Sequence, residues 1–316
     1  MSWDAALSEV ANAVVDALQE IGPESIIHEI TGAQGGPMAL TSVTRFVGKL
    51  GGLSMDLDGV VGDLAMGLYE VFGKIFASTV DDWFHSDLLL IWHMNPAYTR
   101  IPYYHYISEA RYKGAEVVTI APDFSPSAVH ADRYLPVRPG TDAALALAMC
   151  KVIIDEGLYD AHFIKEQTDL PLLVRLDNQR YLRQSDLREG GRQDQFYFFD
   201  EKSRAVVEAP RQSLDLGDAD PSLERLVSVK LADGSKVEAV PVFQLLRKRL
   251  EEYTPEKASA ICGTGAEAIR YLARKAAVSR TNILLGFSSP KYYHGDLMER
   301  AMILMLGLTN NWGRKG

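Results

Sequence analysis

Three short apolar runs, separated by polar loops and one helix-like stretch, dominate residues 86–145. The first, Leu88-Leu-Leu-Ile-Trp92, passes into a polar turn, His93-Met-Asn-Pro96. The second, Ala115-Glu-Val-Val-Thr-Ile-Ala-Pro-Asp123, follows the helix-like stretch, and the third is Tyr134-Leu-Pro-Val137. Arg138-Pro-Gly-Thr-Asp142 then leads straight into Ala143-Ala-Leu-Ala-Leu-Ala-Met149. Strand, loop, helix, strand, loop is the order of a parallel α/β unit. Such sheets bind ligands at the carboxyl ends of their strands. Asn95, Asp123, Ser125, Gly140, Thr141 and Asp142 fall at those ends, so a nucleotide-shaped cleft is expected there.

Composition allows this fold and excludes several functions. At 316 residues, with 47% hydrophobic and 24% charged residues, the chain can bury a substantial core. A formal net charge of −9 leaves no surplus of Lys and Arg to neutralise phosphates, so nucleic acid is not an expected partner. Cys150 and Cys262 form no CxxC pattern, which argues against a cysteine-ligated zinc or iron–sulfur site within the chain. No apolar run approaches the ~18–20 residues that span a bilayer, so the chain is not expected to be transmembrane. Met1-Ser-Trp-Asp-Ala-Ala-Leu7 reads as the start of a helix rather than a signal peptide.

Ser2 is placed to cap a helix that carries Ala5, Leu7, Val10, Ala13, Val14 and Leu18 on its apolar face and ends at Gly22-Pro23. A strand over 25–30 runs into Thr31-Gly-Ala-Gln-Gly-Gly-Pro37, whose spacing is not GxGxxG. A helix is predicted over 39–50. Residues 51–73, with Asp56, Asp58 and Asp63, read as a long functional loop. Residues 143–156 form a nearly all-apolar helix that should be buried. Beyond it, Phe196-Tyr-Phe-Phe199 and Ala205-Val-Val207 flank Asp200-Glu-Lys-Ser203 as a β-hairpin, with a second hairpin around Ala232-Asp-Gly-Ser235. Helices from Pro255 and over 266–277, a strand over 282–286, a polar loop and a helix over 296–308 complete the chain. Met298, Met302 and Met305 on that last helix read as core.

A family resemblance rests on stretches taken in order. They are Ser2-Trp-Asp-Ala-Ala-Leu7, Asn95-Pro-Ala-Tyr-Thr-Arg-Ile-Pro102, Glu109-Ala-Arg-Tyr-Lys-Gly-Ala115 and Val117-Val-Thr-Ile-Ala-Pro-Asp-Phe-Ser125. Arg138-Pro-Gly-Thr-Asp-Ala-Ala-Leu145, the most specific, is followed by Tyr292-Tyr-His-Gly-Asp296 and Thr309-Asn-Asn-Trp-Gly-Arg-Lys-Gly316. They resemble the molybdopterin oxidoreductases of the dimethyl sulfoxide reductase family. The matching branch holds ethylbenzene dehydrogenase, steroid side-chain hydroxylases, and nitrate, selenate and chlorate reductases. His93 departs from the pattern, since nitrate reductases carry Gly before the loop Asn.

The resemblance implies an α/β fold whose central domains hold molybdenum with two molybdopterin guanine dinucleotides. Residues 1–60 would begin one α/β domain. Residues 61–245 would be an inserted α/β domain binding one guanine dinucleotide, with a hairpin excursion over 176–240, and residues 246–316 would return to the first. A 4Fe–4S cluster is expected in the complete subunit, but the chain lacks its ligands and the C-terminal domain, and so reads as a fragment or one product of a split gene. Implied partners are an iron–sulfur electron-transfer subunit, often a haem b subunit, and a small-molecule substrate. The implied location is periplasmic, although the chain shows no signal for it and the cytoplasm stays open.

Single residues acquire roles by the same resemblance. Asp63, in Gly59-Val-Val-Gly-Asp-Leu64, stands where an aspartate ligates molybdenum, and a hard carboxylate oxygen suits a high-valent metal. It could instead cap a helix, with Asp56 and Asp58 as fallback ligands. Asp123 would hold a ribose diol or simply form a turn. Gly140 and Thr141 offer backbone N–H groups at a helix start, and Asp142 is either a guanine contact or a cap. Asn95, Ser125, His294, Asn311 and Gly313 join the expected cofactor contacts. Lys291 would lie near the pterins and metal, where a cation stabilises the reduced cofactor, unless it is merely solvated. His28 is a candidate proton acceptor or a packed strand residue.

The expected reaction is two-electron oxygen-atom or hydroxyl transfer with water. Anaerobic hydroxylation of a hydrocarbon or steroid-like substrate comes first, with oxyanion reduction as the alternative. A non-catalytic truncated remnant is the rival outside enzymes. A plain NAD-binding enzyme is disfavoured by the missing GxGxxG.

Overall fold

The computed structural model describes residues 1–316 apart from 30–35, 56–64, 75–76 and 287–288. It divides into two compact units, Met1–Ala65 and Met66–Gly316.

In the first unit Ser2 caps α1 (Trp3–Glu20): its Oγ accepts the Ala5 N–H at 3.2 Å, satisfying a donor that a helix start leaves open. No residue of α1 is buried, and Leu7 and Val10 on its apolar face are exposed. β1 (Ile27–Glu29) pairs in parallel with β2 (Leu53–Met55), Ile27 opposite Leu53, and α2 (Gly36–Leu50) makes the crossover that parallel strands require. β2 corrects the reading of 51–73 as one loop, because three residues are too few to show an alternating pattern.

The second unit opens with α3 (Met66–Phe72), a further correction to that loop. Its centre is a four-stranded parallel sheet of β3 (Leu88–Trp92), β4 (Glu116–Ala121), β5 (Arg133–Pro136) and β11 (Thr281–Leu285), ordered β11-β3-β4-β5. All five β3 residues are completely buried. Alternate side chains enter two cores. Leu88, Leu90 and Trp92 pack with α5 (Asp142–Asp155), α9 (Ala266–Val278) and α10 (Gly295–Leu308). Leu89 and Ile91 pack with Ile107 and Ala110 of α4 (Ile101–Tyr112). A strand covered on both faces has no position for a polar residue, which is why its sequence is an unbroken apolar run.

α5 is enclosed by α7 (Val242–Leu250), α8 (Pro255–Cys262), α9 and α10, while α6 (Ala161–Gln167) packs on α10. Residues 246–316, expected to rejoin the first 60, supply β11 and α10 to this unit, with Thr281 opposite Leu88 and Leu285 opposite Trp92. The excursion is antiparallel. β6 (Leu173–Arg175), β10 (Lys236–Pro241) and β9 (Val227–Lys230) form one sheet, and β7 (Tyr197–Asp200) with β8 (Ala205–Glu208) forms a hairpin. The second expected hairpin is β9–β10. Asp200 ties the β7–β8 turn by accepting the N–H groups of Ser203 at 2.9 Å and Asp220 at 2.8 Å. Hydrogen bonds from Ser203 and then from the Asp220 backbone hold its carboxyl well below the usual carboxylate range. No helix among the described residues is long and apolar enough to cross a membrane.

Candidate functional site

β3, β4 and β5 follow one another across the sheet, whereas β11 joins on the other side of β3. The helix after β3, α4, lies on the Leu89–Ile91 face, and the helix after β11, α10, lies on the Leu88–Trp92 face. The chain thus leaves neighbouring strands toward opposite faces, the arrangement in which open α/β sheets bind ligands beyond the carboxyl ends of their strands.

Close backbone contact joins the ends of these two strands. The Gly286 N–H donates to the Trp92 carbonyl at 3.1 Å, and a Cβ at 286 would fall 1.9 Å from the His93 carbonyl oxygen, so only glycine fits. His93 turns the chain at φ 58° and His294 at φ 56°, left-handed conformations unfavourable for a side chain of that size. The His93 conformation explains why glycine suits that position in the resembling pattern.

Three loops meet beside these turns. The Trp92 indole N–H donates to Asp142 Oδ1 at 2.8 Å, and His93 Nε2 lies 3.5 Å from Asp142 Oδ2. Asp142 is completely buried, so its carboxylate faces inward; Thr141 takes the N-cap position, and its Oγ1 donates to the Arg138 carbonyl at 2.6 Å. The His93 ring meets Tyr292 edge-on at 5.4 Å, and Tyr292 packs against Gly140. The loops after β3, β5 and β11 are thereby locked together.

The loop after β4 joins from the other side. Asn95 Oδ1 accepts the Ser127 hydroxyl at 2.7 Å, and Ser127 Oγ accepts the Ala97 N–H at 3.1 Å. Asn95 is held by its oxygen, which leaves its NH₂ end as the donor for a ligand. Ser125 is 5% exposed, and its buried hydroxyl has no hydrogen-bond partner among the described residues. A buried polar group left this way calls for a partner. Asp123 stands exposed at the end of β4. These donors and the exposed carboxylate can each meet a polar group of a ligand.

Asn95, Asp123, Ser125, Gly140, Thr141, Asp142, Lys291 and His294 therefore share the carboxyl edge of the sheet, Lys291 in the turn Ser289–Lys291. Asn311 and Gly313 do not join them, because α10 carries the chain back to the amino end of β11. There Asn311 Oδ1 accepts the Thr281 N–H at 2.9 Å, and Gly313 lies in the closing turn. His28 belongs to β1 of the first unit, and its buried Nδ1 has no hydrogen-bond partner among the described residues. Asp63, Asp56 and Asp58 lie outside the described residues. Among the described residues no three His, Cys, Asp or Glu side chains form a group that could hold a metal.

Two residues escaped sequence reasoning. Arg138 caps the C-terminus of α8, donating to the carbonyls of Ala260 at 2.7 Å and Ile261 at 3.0 Å, as a cation near a helix C-terminus does. Glu299 is 1% exposed in α10, with Ser289 Oγ 2.5 Å from its Oε1. Burial pushes its carboxyl above the ordinary range, against hydrogen bonds from Ser289 and the backbone. Its signal was a lone acid three positions before Met302 on the apolar stripe of the helix.

The whole chain, residues 1–316, matches the family model described as molybdopterin oxidoreductase. It is 37% identical over 344 residues to the perchlorate reductase subunit alpha of Dechloromonas aromatica (strain RCB), covering 100% of this chain and 37% of that one. The dimethylsulfide dehydrogenase subunit alpha of Rhodovulum sulfidophilum is 37% identical over 324 residues, covering 100% and 35%. The chlorate reductase subunit alpha of Ideonella dechloratans is 39% identical over 326 residues, also covering 100% and 35%. The chain thus spans just over a third of the length of these relatives. Among solved structures, acetylene hydratase from Pelobacter acetylenicus shares the fold at a TM-score of 0.56 and 22% identity, covering 100% of this chain and 33% of that one.

Proposed function

Because the chain belongs to the molybdopterin oxidoreductase family, we propose that it is the cofactor-binding portion of a catalytic subunit that transfers an oxygen atom between water and substrate in a two-electron reaction. The family implies molybdenum and molybdopterin, a group that supplies a redox-active metal when bound. The observation that carries the reading is that the segments bearing Asn95, Ser125, Gly140 and Lys291 all follow the carboxyl ends of strands of one parallel sheet.

Within that reading the Ser125 hydroxyl, the Asn95 amide and the Gly140 backbone N–H bind polar groups of a guanine dinucleotide, and Asp123 takes a ribose diol. The Thr141 N–H, also expected to contribute, is instead taken by the Arg138 carbonyl at 3.1 Å. Asp142 acts through Trp92 and His93, which it holds in place. Lys291 and His294 supply the flank after β11, where a cation stabilises added negative charge. Asp63 is the proposed metal ligand, and His28 a proposed proton acceptor.

Hydroxylation of a hydrocarbon or steroid-like substrate, the first expectation, gives way to oxyanion reduction, since relatives named for perchlorate and chlorate favour it. Sulfide oxidation is the second reading, carried by the dimethylsulfide dehydrogenase. Each of these relatives is named as a subunit alpha, which supports further subunits here, an iron–sulfur electron-transfer subunit first, with a 4Fe–4S cluster in the complete protein.

The test uses the full-length protein produced with its partners. Chlorate or perchlorate should oxidise a reduced viologen dye in its presence, while ethylbenzene should not reduce an acceptor. Turnover of the hydrocarbon alone would overturn the direction. Acid hydrolysis should release guanosine monophosphate in proportion to molybdenum; bound NAD or flavin instead would sink the cofactor reading.

A further inference from the structure

We infer that His93 is a positioning residue: its ring holds the loop that carries Gly140 against the end of β3, and so fixes Gly140 relative to Asn95. The inference rests on the reading of Asn95 and Gly140 as nucleotide contacts. All the residues concerned belong to the unit Met66–Gly316. The sheet sets the backbone of His93. Its N–H donates to the Ile120 carbonyl at 3.1 Å, and its own carbonyl lies against Gly286, where a Cβ would fall 1.9 Å away. A glycine at position 93 would make both contacts without the strain of φ 58°. The backbone therefore gives no reason for an imidazole here, and the reason lies in what the ring touches.

The side chain is 7% exposed, and its Nε2 lies 3.5 Å from Asp142 Oδ2. Asp142 is completely buried; its Oδ1 accepts the Trp92 indole N–H, and its Oδ2 has no hydrogen-bond partner among the described residues. A buried carboxylate oxygen calls for a donor, and an imidazole with its proton on Nε2 supplies one after a small shift. The ring also meets Tyr292 edge-on at 5.4 Å. Tyr292 in turn packs on Gly140 so closely that a Cβ there would stand 3.1 Å from its Cδ1. His93 thus reaches Asp142 directly and Gly140 through Tyr292, while Asn95 follows two positions after it in the chain. Losing the ring should leave the sheet intact and free the loop.

The experiment uses the full-length, cofactor-loaded protein with His93→Gly, His93→Gln and, in parallel, Asn95→Ala. Amide exchange is read over residues 138–142 and over β3, and cofactor loss as guanosine monophosphate and molybdenum remaining after gel filtration. His93→Gly should speed exchange in the loop, and loss of the cofactor, by on the order of ten-fold, with β3 exchanging as in the wild type. His93→Gln keeps an N–H donor and should restore part of both. Equal loosening of loop and strand would mean that the residue is merely structural, and no loosening of either that it holds nothing; both overturn the inference. A loosened loop with wild-type retention of the cofactor overturns it as well. If His93→Gly does not fold, Tyr292→Leu, which removes the ring between His93 and Gly140, decides by the same measurements. Wild-type retention in Asn95→Ala would remove the nucleotide reading itself, and this inference with it, by a different result.

Discussion

The indole N–H of Trp92 ends on Oδ1 of Asp142 at 2.8 Å, with both residues completely buried. Trp92 is the last residue of β3 and Asp142 the first of α5, so one bond joins the end of the central strand to the start of the central helix. The same carboxylate lies 3.5 Å from His93 Nε2, so the anchor also reaches the turn that follows β3.

Removing that acceptor should be felt as lost stability. Asp142→Ala leaves the Trp92 donor buried and unsatisfied, an expected loss of about 1–3 kcal/mol. Asp142→Asn keeps an oxygen acceptor and should lose less. Urea unfolding of both variants tests this, and equal losses would show that the bond to Trp92 is not the reason for the residue.

Gly286→Ala should be worse than its single methyl suggests. The added Cβ would sit 1.9 Å from the His93 carbonyl oxygen, and backbone on backbone cannot rotate away. Separating the ends of β3 and β11 should cost about 3 kcal/mol or more and displace the loops that follow them. Lower cofactor retention with a lower urea midpoint is the expected pair of results; a wild-type midpoint would contradict the contact.

The parallel sheet could be read from the sequence because burial on both faces leaves β3 and most of β4 as unbroken apolar runs. β2 and β6, three residues each, carry too little pattern to be seen. α3 was hidden by Gly67, a helix-weakening residue required where the chain presses against α10. Strand ends follow from where apolar runs stop, which is why Asn95, Asp123 and Gly140 could be assigned to one edge. Asn311 and Gly313, assigned by resemblance and not by strand ends, stand at the other end of the sheet, since a 14-residue helix returns the chain by about 21 Å before they occur. Glu299 had no motif, because its partners, Gly67 and Ser289, come together only in the fold.

Acid should loosen the amino edge of the sheet through Asp87. The Arg280 guanidinium beside it, donating to Oδ1 at 2.7 Å and Oδ2 at 2.8 Å, holds its carboxyl at about 2. A depressed folded value means that the stabilisation is fully present above the unfolded value of about 3.9 and is lost as pH falls through the folded one. The side chain is 48% exposed, so the effect should be small. Urea midpoints should decline between about pH 4 and pH 2, and Asp87→Asn should flatten part of that decline. An identical pH profile in the variant would show that the pair contributes nothing.

The last prediction separates a metal ligand from a helix cap at Asp63. Replacing a cap by Ala costs about 1 kcal/mol and should leave cofactor content and chemistry intact. Losing a ligand changes the charge, geometry and potential of the metal, so turnover should collapse even where the cofactor is retained. Asp63→Asn distinguishes the two, because Asn caps helices about as well as Asp but is a neutral and poorer ligand. In the full-length protein it should therefore abolish turnover and alter the molybdenum(V) spectrum, with Asp58→Asn as the control that changes neither. If Asp63→Asn keeps near-normal activity and spectrum while Asp58→Asn loses both, the ligand belongs at Asp58. If neither substitution matters, neither of these two carboxylates binds the metal.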